Sequence, residues 1–256
     1  MWYEQTFAYT DWVGERQLRT AGARDAALVA LSQGLADRVR PLTFARERVL
    51  PMHPALAEVF PEGGLRRGSV VGCQGEAAWS TALALAVGPS QAGSWTGLVR
   101  VGPNFGLSAA AEWGIALDRV FSVPCVDAQQ LPTVLAAAVD GVEVVITEGA
   151  GVRAGDARRL AARLGQRGGV LLVVGDAGGF VPDLVCSATT TSWGGLDAGA
   201  GRLVERQVRF EVSGRRAERP RRADLWFPAV TGALDCVQQQ APVAALAQLL
   251  PAASVG

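Results

Sequence analysis

The pattern of apolar positions predicts an alternation of strands and helices through the middle of the chain. Short runs of Val, Leu and Ile without polar alternation are separated by longer segments with helical spacing, which is typical of a mainly parallel sheet covered on both faces. The predicted strands span residues 69–72, 97–101, 119–123, 142–147 and 169–175, and the predicted helices span residues 78–87, 106–117, 128–139 and 155–166. The sequence therefore predicts a doubly wound α/β core.

The pattern changes after Asp183. The segments DLVCSATTT, RLVERQVRFEV and RADLWFP alternate apolar and polar residues, as antiparallel strands with one solvated face do. Gly-rich and Arg-rich turns are predicted between them, with Gly194, Gly195, Gly199 and Gly201 in the first turn. We expect these strands to extend one edge of the parallel sheet.

Two apolar helical segments flank the core. Residues 23–39 have amphipathic helix spacing, and VAALAQLL forms a short apolar helix near the C-terminus. We therefore divide the chain into an N-terminal extension (1–50), a core domain (51–232) and a C-terminal tail (233–256). The candidate partner-binding side chains on these helices are Leu28, Leu31, Leu35, Leu246, Leu249 and Leu250.

Composition narrows the class of protein. The 256 residues carry a formal charge of zero and are 49% apolar, so the chain is neither disordered nor attracted as a whole to nucleic acid or membrane. The four cysteines lie far apart without a CxxC pair, which argues against a zinc site and a secreted disulfide framework. With no secretion signal or membrane-spanning run, we expect a cytoplasmic protein.

The stretch LRRGSVVGCQGEAAWSTALALAV (65–87) has the strand, glycine turn and apolar helix of a phosphate-binding loop. A working loop, G-x-x-x-x-G-K-[ST], needs a second glycine, a lysine for the phosphates and a hydroxyl for Mg²⁺. Counted from Gly72, those positions hold Ala77, Ala78 and Trp79. Moving the frame by one residue places Trp79 where the lysine belongs. We expect the Trp79 ring to fill the space that a nucleotide would occupy.

No other residue replaces the missing lysine, because all 24 basic residues are Arg. The sequence therefore predicts a degenerate phosphate-binding loop without a cofactor. Its remnant comprises Gly72, Gly75, Ala77, Ala78, Trp79, Ser80 and Thr81.

Other catalytic groups are sparse. Glu148 ends the strand VEVVIT, where a carboxylate could hold a metal-bound water or be a solvated strand-end charge. The strand GLVRV is followed by Gly102-Pro103-Asn104, which supplies no general base. The single histidine, His53, has no catalytic partner in the pattern, and Cys73 is interpreted as a small core residue. We predict no catalytic residue and no metal.

Arginines concentrate near the C-terminal end of the core. Eight of them fall between Arg202 and Arg222. Arginine binds phosphate bidentately and stacks on bases, so a nucleic-acid contact is one interpretation, and a solvated hairpin turn is the other. The candidate contacts are Arg215, Arg216, Arg219, Arg221 and Arg222.

Several of these segments together resemble the RecA family over residues 55–213. EGGLRRGSVVGCQGEAAWSTALALA is similar to the entry of the RecA core, and AEWGIALDRVFSV is similar to the next helix and strand. The resemblance implies that VEVVITEG places Glu148 at the metal-side acidic position. It also implies that GLVRVGPN places Gly102 where RecA has its catalytic glutamate.

Within RecA relatives, the chain most resembles the actinobacterial ImuA-type proteins, accessory subunits of the DNA-damage-induced mutasome. The degenerate loop, TTTSWGGLDAGAGRLVERQVRFEVSGRR and ERPRRADLWFP carry this resemblance. It implies a RecA-like fold and a non-catalytic role in translesion synthesis, mutagenesis and DNA repair within the SOS response. The implied partners are an inactive Y-family polymerase-like protein and an error-prone C-family polymerase.

The short segments at 149–158 and 176–183, where RecA has its DNA-binding loops, imply that any DNA contact is indirect or weak. Self-association stays open. Two alternatives remain: a divergent P-loop ATPase acting on DNA through Glu148, Ser80 and an outside arginine, and a SulA-like inhibitor of cell division.

Overall fold

The computed structural model describes residues 49–102, 105–124, 126–197 and 200–237. Its helices are α1 (Pro54–Ala57), α2 (Ala78–Gln91), α3 (Leu107–Glu112), α4 (Leu131–Gly141) and α5 (Ala154–Arg167), with a 3₁₀ turn at Leu117–Arg119. Its strands are β1 (Val49–Leu50), β2 (Leu65–Arg66), β3 (Val70–Gln74), β4 (Thr96–Val99), β5 (Val120–Val123), β6 (Val144–Glu148), β7 (Val170–Val174), β8 (Leu184–Asp197), β9 (Ala200–Ser213), β10 (Arg221–Trp226) and β11 (Asp235–Cys236).

One sheet of nine strands, in the order β11-β10-β9-β8-β3-β7-β6-β4-β5, organises these elements. The strands from β8 to β5 pair in parallel, and β8, β9, β10 and β11 pair antiparallel. The predicted α/β class, the mainly parallel sheet and the antiparallel extension of one edge are therefore confirmed. A separate antiparallel pair, β1 with β2, lies outside this sheet.

Side chains of the central strands alternate between two apolar layers, as the strand period of two requires. In β7, Val170, Leu172 and Val174 join the layer that contains α2, whereas Leu171 and Val173 join the layer that contains α4 and α5. Helices thus cover both faces of the parallel strands. This explains why those strands are apolar throughout and lack polar alternation.

Helix α2 is buried on nearly every side. Its residues from Thr81 to Ser90 are all buried, because a second layer formed by residues 50–65 and 225–234 covers the side that faces away from the sheet. Aromatic contacts support this layer, including Trp113 with Phe227 at 5.5 Å between ring centroids. An all-round apolar helix is stable in water only when it is enclosed in this way.

Two details differ from the sequence prediction. The predicted helix 106–117 ends at Glu112, because Gly114 adopts a φ of 98° that no helix continues. Gly194 and Gly195, predicted in a turn, lie inside strand β8, where the ladder shifts register between Gly194 and Leu196. The glycines therefore form a bulge in a long strand and do not end it.

The predicted helix at 23–39 and the predicted C-terminal helix lie outside the described residues. None of the helices within the described ranges is long and apolar enough to cross a membrane.

The close approach of α2 to the covering layer gives a test of the fold. A Cβ at Gly88 would lie 2.5 Å from the Cα of Met52, so Gly88→Ala should destabilise the protein by about 1–3 kcal/mol. Gly165 is also inside a helix, but a Cβ there meets nothing within 4 Å, so Gly165→Ala should be neutral or stabilising by up to about 1 kcal/mol. Urea unfolding of both variants measures this difference. Equal stability of the two variants would contradict the enclosed position of α2.

Candidate functional site

The degenerate phosphate-binding loop, residues 72–81, lies at the carboxyl end of the central strand β3. Gly75 has a φ of 84°, which glycine adopts without strain, and lets the chain turn from β3 into α2. Ala77 and Ala78 at the helix start are buried, and no side chain caps the helix. The backbone therefore keeps the strand, turn and helix of such a loop without lysine or hydroxyl chemistry at the loop positions.

Glu76 ties this loop to the neighbouring strand. Its Oε1 accepts a hydrogen bond from the backbone N–H of Thr190 on β8 at 2.6 Å. Hydrogen bonding from Thr190, helped by the positive charge of Arg206, lowers the pKa of the Glu76 carboxyl. A carboxylate thus lies on the loop where a phosphate-binding protein needs positive charge, and it would repel a phosphate.

Trp79 packs over the start of α2. Its ring is half-buried and meets the ring of Phe105, from the segment after β4, with centroids 5.2 Å apart in an edge-to-face arrangement. Both rings pack against the apolar layer that contains α2. The contact joins the loop to the segment that follows β4.

Of the two hydroxyls that could replace the missing one, that of Thr81 is poorly placed. The side chain of Thr81 is fully buried, and its Oγ1 has no hydrogen-bond partner in the described part of the chain. Ser80 is half-buried beside it. Thr81 therefore points into the protein interior, away from the surface where a hydrated metal ion would lie.

Glu148 does not lie beside the loop. Strand β7 separates β6 from β3, which places the end of β6 about 10 Å from β3 at the usual spacing between strands. No group of three or more His, Cys, Asp or Glu side chains within the described residues is arranged to hold a metal ion. Gly102 is exposed after β4, and Asn104 lies outside the described residues.

Arg100, directly after β4, has a structural role that the sequence pattern does not indicate. Arg100 has a φ of 57°, which is uncommon for a residue with a side chain, and its Nη1 donates a hydrogen bond to the carbonyl of Ala150. The bond joins the segments after β4 and β6. Nothing in the run GLVRV indicates this conformation, since it depends on a carbonyl 50 residues away.

Cys73, Cys186 and His53 are unsuited to nucleophilic chemistry. Cys73 is fully buried, which confirms its interpretation as a core residue, and burial raises the pKa of its thiol well above the ordinary range. Cys186 lies opposite Cys73 in the pairing of β3 with β8. It is also buried, and burial raises the pKa of its thiol. The imidazole of His53 accepts a hydrogen bond from the N–H of Ala55 at the start of α1, and burial lowers its pKa. His53 therefore caps the start of α1.

The start of the arginine run lies near the amino end of β3, whereas the degenerate loop follows the carboxyl end of that strand. Arg215 and Arg216 both bind the Oδ1 of Asp183, whose Oδ2 accepts from the backbone N–H of Val70 at the start of β3. Arg222 pairs with Glu211 across the ladder, and Arg221 donates to the carbonyl of Phe60. Four of the five predicted contacts therefore have structural partners within the chain. Arg219 is exposed.

The antiparallel hairpin of β8 and β9 extends past the ends of the neighbouring strands β3 and β10. Strand β8 pairs with β3 only over Leu184–Ser187, and β10 covers β9 only from Gln207 to Val212. The described residues beyond these pairs, 190–197 and 200–206, are here called the ribbon. It exposes Trp193, Leu196 and Leu203, and the guanidinium of Arg206 lies 5.3 Å from the Trp193 ring centre. The predicted partner-binding leucines of both termini lie outside the described residues.

Comparison with known proteins gives one family match. Residues 58–179, just under half of the 256-residue chain, match the family described as the MT3502 N-terminal domain. The matched segment runs from the end of α1 to the turn after β7 and contains the degenerate loop and Glu148. No curated protein matches the sequence.

The aromatic contact at the loop can be tested by a double-mutant cycle. Trp79→Ala should lower the free energy of unfolding by about 2–3 kcal/mol, because it removes a large, half-buried ring. Combined with Phe105→Ala, the coupling energy should be about 0.5–1.5 kcal/mol, as for other edge-to-face pairs. Trp79→Ala should not create affinity for Mg-ATP in calorimetric titration. An unchanged melting temperature would contradict a packed role for the ring.

The Glu76 bond predicts a pH-dependent contribution to stability. Because folding lowers the Glu76 pKa, the stabilisation is present above the ordinary pKa of glutamate and is lost as the pH falls through the lowered folded-state value. Glu76→Gln should therefore be less stable than wild type at pH 7, and the difference should shrink towards pH 3, roughly below the range of an ordinary glutamate. Glu218→Gln, at an exposed carboxylate, is the control. A difference independent of pH would exclude the carboxylate as the cause.

Proposed function

We propose that this protein is a non-catalytic, RecA-like adaptor of a translesion-synthesis complex that binds a Y-family polymerase-like protein during DNA-damage-induced mutagenesis. The observation that carries the proposal is the state of the loop at the end of β3. It retains the backbone of a phosphate-binding loop, while Ala77, Ala78 and Trp79 stand at its chemical positions. The loop also carries a carboxylate, Glu76, which is hydrogen-bonded to Thr190 on β8.

The arrangement of the sheet supports the RecA-like part of the proposal. The degenerate loop follows the central strand of a doubly wound sheet, and the acidic strand end at Glu148 lies on the same edge. Ligands of open α/β sheets bind at this carboxyl edge. A chain that keeps the architecture but closes the edge with its own side chains fits an interaction role better than hydrolysis.

Exposed apolar side chains support a protein partner. Trp193, Leu196 and Leu203 project from the ribbon, and surfaces that expose aromatic and aliphatic groups together often mark interaction sites. The amphipathic helix at 23–39 and the terminal leucines are the partner surfaces that the sequence offers in addition. An error-prone C-family polymerase would be a second partner of the complex.

Capture of the purified partner measures the adaptor role directly. Full-length protein should retain the Y-family polymerase-like protein on a pull-down resin. Replacing Leu28, Leu31 and Leu35 together by Ser, or Leu246, Leu249 and Leu250 together by Ser, should reduce the retained amount at least about tenfold if these side chains form the contact. Unchanged capture by both variants would remove these helices as the contact, and no capture by wild type would refute the adaptor role.

Nucleotide assays separate the adaptor from the ATPase alternative. The carboxylate of Glu76 and the lack of lysine lead us to expect no heat of Mg-ATP binding in calorimetry and no phosphate release in steady state. Tight binding with turnover would overturn the adaptor proposal. Identification of a tubulin-like protein among co-purified partners would favour the cell-division inhibitor instead.

A further inference from the structure

Helix α5 presents a basic outer surface that has no role in the candidate site or in the proposed adaptor function. Its inner side is apolar, with Ala157, Leu160 and Leu164 buried against the sheet. Its outer side is exposed and carries Arg158, Arg159, Arg163 and Arg167, called here the α5 arginines. The neighbouring helix α4 exposes Thr133 and Ala137, and its one charged side chain is Asp140.

Two carboxylates contact the α5 arginines and leave them in excess. Asp140 on α4 binds both Arg163, at 2.7 Å, and Arg167, at 3.1 Å, while Asp156 pairs with Arg159 within α5. Arg158 has no ion pair within the described residues. Each guanidinium has five N–H donors, so three arginines shared between two carboxylates keep most of their donors free. Asp140 also holds two of the guanidinium groups in fixed positions.

The spacing of the arginines suits a polyanion. Arg159, Arg163 and Arg167 recur every four residues, which places them about 6 Å apart along a line of about 12 Å on the helix. Over that length, one strand of a nucleic-acid duplex presents about three to four phosphates. Arginine, the sole basic residue type of this chain, binds phosphate with two parallel hydrogen bonds.

The composition of the surface distinguishes a nucleic acid from a protein partner. Protein interfaces are centred on aromatic or aliphatic anchors. The large exposed apolar side chains of the described residues are Trp95, Leu107, Leu117, Val181, Trp193, Leu196, Leu203 and Val230, and none of them lies on α4 or α5. A charged surface without an apolar centre fits the phosphate backbone of a nucleic acid.

We propose that the outer face of α5 binds the phosphate backbone of a nucleic acid without reading its sequence. The surface differs from the arginine run at 215–222 in its regular helical spacing, since Arg215, Arg216 and Arg222 of that run are ion-paired and exposed in the same way. It is also distinct from the ribbon, the proposed partner surface within the described residues. Because the whole chain has no net charge, the attraction is local and falls steeply with salt.

Fluorescence anisotropy of the full-length protein with labelled DNA tests this proposal. Probes are an oligodeoxythymidylate of about 20 nucleotides and a duplex of similar length, titrated between about 50 and 200 mM NaCl. The variant Arg158→Gln with Arg159→Gln should weaken binding at least about tenfold at the lowest salt. It should reduce the slope of log affinity against log salt by about 1.8 for duplex DNA, which corresponds to two lost phosphate contacts.

The matched control removes the same charge elsewhere. Arg66 and Arg209 are both exposed and each has one surface ion pair, and Arg66→Gln with Arg209→Gln should change the affinity less than about twofold and leave the slope unchanged. Both variants should keep the wild-type melting temperature, since exposed substitutions change stability little. Capture of the protein partner should be unaffected in both, so failure of this proposal and failure of the adaptor role remain distinguishable.

Three results would overturn the proposal. The first is no DNA binding by wild type at about 50 mM salt, where phosphate contacts are strongest. The second is an equal loss in the control variant, which would indicate general charge attraction. The third is competition by polyglutamate as effective as that by unlabelled DNA, which would identify an acidic protein as the ligand.

Discussion

The burial of helix α2 on nearly all sides is the constraint on which the rest of the structure depends. The sequence ALALAV is apolar around the whole helix, and one face of a sheet covers only half of such a surface. The chain before β3 and the chain after β10 therefore pack over the other half. The close contact of Gly88 with Met52 shows how little space remains between these layers.

This constraint gives the strand, turn and helix at residues 70–91 a structural role that does not depend on a nucleotide. Strand β3 is the centre of the sheet, and α2 is the centre of the layer above it. The turn between them must keep its geometry for both to pack. Side chains of the turn and of the first turn of α2 then contact neighbouring segments at this end of β3. Glu76 accepts a hydrogen bond from β8, and Trp79 packs on Phe105.

The arginines serve two purposes that the zero net charge conceals. At the amino edge of the sheet, Arg215 and Arg216 neutralise Asp183, which also fixes the start of β3. On α5, arginines outnumber the carboxylates that contact them and face outward. The ion-paired arginines of both groups remain exposed, and only those at 159–167 follow the four-residue spacing of a helix.

The sequence by itself determined the class of fold and the central strands, and it predicts that the phosphate-binding loop is degenerate. Strands buried on both faces leave continuous apolar runs, and a missing lysine can be read from spacing, so both are local properties. The tertiary structure alone decided that β7 separates β6 from β3 and that Glu76 pairs with a residue 114 positions away. It also decided that Gly194 and Gly195 form a bulge. The local pattern of apolar residues indicates whether a side chain is buried. Which residue that side chain contacts depends on how distant segments of the chain pack together.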